Sequence, residues 1–235
     1  MILRCLWEHN GDDTLLWALD YPGAFTRGSS LDGALKKMPA EIAAYLSWTG
    51  KPLPADGICP EVTVDAPCGL AVSDADSDVI FPEEHQPLSA DEYATLKRLV
   101  MQSARDFQAL FDFIPNQHAP LKPRRDTFYG SVPCTAREMY DHTRSVNDYY
   151  FAEIGVATHH EGGIAACRAH GFSQLEVQTD FLTRPACEGS YGEMWSLRKV
   201  LRRFLWHDRI HAKALYRSAR TVFPGQIPDV FSFGE

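Results

Sequence analysis

At 235 residues, with 45% hydrophobic and 23% charged side chains, the chain has an ordinary globular composition and room for one large core or two modest ones. No apolar run approaches the roughly 20 residues needed to cross a bilayer, and Met1 to Glu8 lack the charged and apolar regions of a secretory leader, so a cytoplasmic location is expected. The net charge of −8 is uneven: residues 1–86 carry 5 basic and 14 acidic side chains, which argues against nucleic-acid or membrane partners for that part.

The first part mixes strand and helix. Ile2 to Trp7 and Leu15 to Leu19 are apolar runs around the turn Asn10-Gly11-Asp12-Asp13, a pattern that predicts an antiparallel hairpin. A turn-rich segment, Tyr21 to Ser30, ends at Ser30, a candidate N-cap. Leu31, Leu35, Met38, Ile42 and Leu46 then recur at helical spacing, with Pro39 inside the pattern as a point of bending or restart. Glu61-Val62-Thr63-Val64 predicts a third strand and Val79-Ile80-Phe81 a last one, after a polar, irregular stretch. The boundary between the two parts falls near Pro87, giving domains at 1–86 and 87–235.

The second part reads as helices. Ser89 with Glu92 forms a capping box opening a helix that carries Tyr93, Leu96, Val100, Phe107, Leu110 and Ile114. Thr135 with Glu138 opens another, whose inward stripe is Met139, His142, Val146, Tyr149 and Glu153. Ile164 to Leu182 predicts a third helix, weakened by Gly171. The last stripe runs Leu197, Val200, Phe204, His207, His211 and Leu215. Basic residues around it, from Arg198 to Arg217, predict a solvated outer face. Four helices with a long crossover before the last would bury these stripes together.

His142, His207 and His211 stand where a purely structural protein places Leu or Ile. His207 and His211 are four apart and share one helix face, while His142 lies on another helix. A single histidine on an apolar stripe is ordinarily a hydrogen-bonded core residue. Three together, from two helices, favour a three-nitrogen metal site that leaves positions open for water or substrate. Imidazole suits zinc, nickel, copper or iron without choosing among them. Asp141, Asp208 and Asn147 lie close enough in sequence to orient the rings. Asp141 and Asp208 directly adjoin histidines, so they point off the ligand face and read as surface charges.

Other candidates are weaker. His159-His160-Glu161 precedes two glycines and reads as an exposed loop rather than a fourth ligand or base. Six cysteines without a C-x-x-C pair read as free thiols, and Cys134 and Cys167 as buried, inert ones. Tyr149 and Tyr150 either line a cavity near His142 or pack in the core. Gly28-Ser29-Ser30 lacks a P-loop pattern and reads as helix capping.

Two resemblances extend this reading. Asp20-Tyr21-Pro22-Gly23-Ala24-Phe25-Thr26-Arg27-Gly28, followed by Ser30-Leu31-Asp32-Gly33-Ala34-Leu35 and Gly50-Lys51-Pro52-Leu53-Pro54, resembles the HicB-like antitoxin domain over about the first 65 residues. The resemblance implies a small sheet packed on a helix. No ribbon-helix-helix or helix-turn-helix segment follows, so a fold is implied more than an antitoxin role. The segments Met139 to Tyr150 and Leu201 to His211 resemble the DinB-like superfamily, which implies an α+β protein whose second part is an up-down four-helix bundle. Carried over by motif, that resemblance implies a divalent metal ion (zinc, nickel or iron) held by His142, His207 and His211. It further implies a metal-dependent hydrolase or thiol transferase acting on a small-molecule substrate or thiol, and such bundles often pair as homodimers. The competing reading is a non-catalytic binding or regulatory module, in which a HicB-like domain recognises a small molecule or protein and the helices form a dimerising scaffold.

Overall fold

Apolar residues alternating along the first two runs pair as an antiparallel hairpin, β1 (Ile2–Asn10) with β2 (Asp13–Ala18), closed by Gly11-Asp12. In this computed structural model, which describes residues 1–127, 130–159 and 161–234, β3 (Phe25–Gly28) adds to β2 and β4 (Cys59–Pro67) lies parallel to β1. The sheet order is β3-β2-β1-β4. A parallel neighbour requires a crossover, supplied here by α1 (Leu31–Trp48). Ser30 caps that helix by accepting the Gly33 N–H, and the helix runs unbroken through Pro39. Its Ala34, Met38, Ile42 and Tyr45 bury against Leu3, Cys5, Leu16 and Ala18 of the sheet.

Among the described residues the chain forms this four-stranded sheet and five α-helices, a mixed α+β architecture. The expected strand at Val79 to Phe81 is absent from those residues. Its backbone carbonyls are taken from the side instead: Lys199 donates to Asp78 O at 2.6 Å and Arg202 to Val79 O at 2.8 Å. Phe81 closes a second apolar cluster with Leu6, Leu15, Trp17, Phe25, Val72 and Trp206.

Four further helices follow. Both expected capping boxes are present, opening α2 (Ala90–Asp112) and α3 (Ala136–Ala152). α4 (Ile164–Glu176) stops six residues short of the expected Leu182: Val177 beyond it is exposed, and the left-handed backbone of Asp180 turns the chain before Phe181 and Leu182 pack on the core. Gly171 is required rather than tolerated there. A Cβ at that position would lie 2.0 Å from the Phe151 ring, so only glycine lets α4 approach α3 this closely. Between α4 and α5 (Leu197–Val222), a short hairpin of β5 (Cys187–Glu188) and β6 (Met194–Trp195) seats Trp195 in the core.

α5 touches α2 and α3 on one side, while Trp206 reaches the sheet on the other. Gly23 allows that approach, because its absent Cβ would fall 2.5 Å from Leu205 Cβ. This overturns the expectation of a solvated basic face on α5. Lys199, Arg202, Arg203 and Arg209 are buried, and Arg217 is the exposed one. The acidic first third supplies the counter-charges: Glu84 meets Arg202 at 2.6 Å, and Glu41 meets Arg209 and Lys213 at 2.7 Å each. One continuous apolar core runs from α1 through α2, α3, α4 and α5. No helix among the described residues is long and apolar enough to cross a membrane.

Candidate metal centre

The inward stripe of α3 is rotated slightly from the expected one. Thr143 and Asn147 are fully buried, while His142, Val146 and Tyr149 sit half-buried on its edge. That edge faces α5, where His207 is buried and His211 half-buried one turn later. The three side chains converge through the same atom. His142 Nε2 lies 3.2 Å from His211 Nε2, which lies 3.1 Å from His207 Nε2.

Two imidazole nitrogens about 2.0–2.1 Å from one ion at a near-tetrahedral angle are about 3.3–3.4 Å apart, so this spacing is close to that of a shared divalent ion. The group could hold a metal ion, and no carboxylate or thiol joins it among the described residues. Burial pushes the pKa of His207 and His211 well below the ordinary imidazole value, reinforced by mutual repulsion among the three rings. Burial also lowers His142. The neutral imidazole that results is the form that binds a metal.

The three polar residues near the histidines in sequence do other work. Asp141 is exposed and pairs with Arg137 at 2.5 Å. Asp208 is no surface charge: it is fully buried, accepts from Ser103 Oγ at 2.7 Å and pairs with Arg168 at 3.0 Å. A helix buried on nearly all sides leaves a residue next to a ligand no route to water, which is why the adjacency argument fails for Asp208 and holds for Asp141. Asn147 accepts from Arg168 Nε at 2.5 Å and donates to Arg144 O, so it does not reach a histidine. His207 is held by packing instead, edge-on to Tyr150 with ring centroids 6.0 Å apart, and its buried Nδ1 has no hydrogen-bond partner.

The histidines lie in the wall of a cleft of about 1570 Å³ between the sheet part and the helices. That is larger than the ~300–1000 Å³ typical of small-ligand pockets. Thr26 to Ser29 and Glu41 line one side, and Tyr149, Tyr150, Arg203 and Trp206 line the other with the histidines. The two tyrosines therefore line the cavity as well as packing in the core. Ser30 caps α1, as read from sequence, while Gly28 and Ser29 face the cleft.

The remaining candidates fall elsewhere. His159 stacks on His170, 3.8 Å between centroids, and Glu161 is exposed; His160 lies outside the described residues. All six cysteines are free, and burial raises the pKa of the Cys134 and Cys167 thiols, which suits inert residues. Sequence reasoning missed the basic lining of the cleft, Arg203 above all. The available signal was Leu201-Arg202-Arg203-Phe204-Leu205-Trp206, where apolar residues point to every side of the helix and leave no polar face for arginines to occupy.

Comparison with protein-family models, curated proteins and solved structures gives no match for this chain.

Proposed function

We propose that this protein is a divalent-metal-dependent enzyme of DinB-like type, a hydrolase or thiol transferase, with His142, His207 and His211 as ligands and zinc, nickel or iron as the ion. The convergence of three neutral imidazole nitrogens, drawn from two helices into the wall of an open cleft, carries this reading. The pairwise packing of α2, α3, α4 and α5 supports an up-down four-helix bundle, and the sheet crossed by α1 supports a HicB-like first domain.

A divalent ion at such a site supplies Lewis acidity, lowering the pKa of a water or thiol that reaches an open position. The chain's own residues set the conditions for that chemistry. Burial keeps the three rings neutral and available. Tyr150 packs edge-on against the His207 ring, and the cleft between the two parts admits a substrate larger than water.

Metal analysis of protein purified without added ions tests the reading. About one equivalent of a transition metal is expected, lost on chelation, with His207→Ala and His142→Ala failing to recover it. A metal-free protein whose melting temperature ignores added zinc, nickel and ferrous ions would sink the proposal.

A further inference from the structure

Three of the four fully or nearly buried arginines on or against α5 have a carboxylate partner. Arg168 meets Asp208 at 3.0 Å, Arg202 meets Glu84 at 2.6 Å and Arg209 meets Glu41 at 2.7 Å. Arg203 is the exception. It is 8% exposed, yet among the described residues no carboxylate oxygen lies within 4.0 Å of its guanidinium.

Its surroundings position it without neutralising it. Nη1 donates to Ser77 O at 2.8 Å, and Nε meets no acceptor. The rings of Trp206, Tyr150 and Trp195 surround the guanidinium at 4.7, 5.6 and 5.7 Å from their centroids. Glu193 and Glu8 contribute a negative field from beyond 4.0 Å, and each carries bonds of its own. Glu8 accepts from Trp17 and Ser77, and Glu193 pairs with Lys199. A guanidinium stays charged at any working pH, and a buried charge without a partner is costly.

Arg203 lines the cleft and stands one helical turn before His207, on the same face of α5. In that turn Arg203 Nε, Trp206 Nε1 and His207 Nδ1 are buried without partners, as are Nη1 of Arg202 and two nitrogens of Arg209. Arg202 and Arg209 each also hold a carboxylate, whereas Arg203 holds none among the described residues. Lys122 and Arg27 also line the cleft, neither has a carboxylate within 4.0 Å among the described residues, and their positive field reaches His211.

We propose that Arg203 is the binding anchor for a carboxylate carried by the small-molecule ligand of this cleft, holding it one helical turn from the histidine cluster. The guanidinium keeps its positive charge and donors beyond the one that Ser77 takes, and the aromatic walls keep it from folding away. The proposal rests on the cleft being the substrate site and is independent of which ion the histidines hold.

The test is calorimetric titration of chelator-treated protein with acetate, succinate and benzoate, each beside its uncharged amide. At least one carboxylate should bind ten times or more tightly than its amide, and Arg203→Met should weaken it at least tenfold while leaving zinc uptake unchanged. Crystals soaked in the same carboxylate should place it against the Arg203 guanidinium, a readout that stands even where Arg203→Met fails to fold. No preference for any carboxylate over its amide, unchanged affinity in a folded Arg203→Met protein, or soaked density elsewhere would overturn the proposal. Arg203-dependent carboxylate binding in a protein that takes up no metal would sink the metal proposal alone.

Discussion

α5 carries two kinds of buried polar group within a few turns of each other, and they behave oppositely. Along the seam with α1, α2, α4 and the Pro82–His85 turn, every buried charge is matched: Arg202 with Glu84, Arg209 with Glu41, and Asp208 with Arg168 and Ser103. Along the cleft, His207, His211 and Arg203 line open space, and among the described residues none of them pairs with a carboxylate. Matched groups of this kind hold a fold together, whereas unmatched ones in a cleft wait for something the chain does not supply. Substitutions should separate the two sets, with large stability costs on the seam and small ones in the cleft.

The largest loss is expected at Asp208. Asp208→Ala strands the Arg168 guanidinium, which is fully buried above the Phe204 ring at 3.9 Å. Breaking a buried pair from one side costs about 3–5 kcal/mol. Urea denaturation should show that loss, and a cost under ~1 kcal/mol would remove Asp208 from the structural set. Gly171→Ala ranks next. Its new methyl must displace the Phe151 ring from a 2.0 Å clash, an overpacking cost of about 1–3 kcal/mol that thermal melts would register.

These seam residues were the least legible part of the sequence. Capping boxes, helix periodicity and the i,i+4 pair His207 and His211 are local patterns, and they can be read from neighbours a few residues apart. The partners of Arg202 and Arg209 lie more than 100 residues away, in the acidic first third. The charge imbalance between the two parts was visible, but not that it closes across an interface. Lys199 and Arg202 likewise capture the carbonyls of Asp78 and Val79, so an apolar triplet that looks like a strand becomes an edge held by side chains. Gly171 was visible only as a weak point in a helix, because its reason, the Phe151 ring, belongs to another helix.

A smaller effect distinguishes groups inside the cleft from one another. Glu138 lines the cleft but is matched: it accepts from Cys134 N at 2.8 Å and Thr135 N at 3.3 Å and pairs with Arg124 at 2.7 Å. The Cys134 N–H and then Arg124 push its pKa down from the ordinary 4.5 to about 2. A carboxylate with a depressed folded-state pKa stabilises the fold above its unfolded value and loses that contribution as pH falls through the folded one. Glutamine at this position can still cap, so wild type should exceed Glu138→Gln only by the worth of a screened charge near a helix N-terminus, roughly 0.3–1 kcal/mol, above pH 5. The gap should close between pH 4.5 and about 2. A gap that persisted unchanged at pH 2 would show that the charge on Glu138 is not what matters.

The smallest stability effect is expected at the histidines, and that is the sharpest separation of cleft from seam. His207→Leu replaces a buried ring whose Nδ1 has no partner with an apolar side chain of similar bulk. Removing an unmatched buried polar group is close to neutral and sometimes stabilising, because the desolvation cost disappears with it. In chelator-treated protein, melting should move by less than ~1 kcal/mol in either direction. Zinc at about 100 times its dissociation constant should stabilise wild type by ~2.7 kcal/mol and leave His207→Leu unmoved. If His207→Leu instead destabilised the metal-free protein as heavily as Asp208→Ala, the histidine would belong with the seam, and the three-nitrogen cluster would be a device of the fold rather than a site.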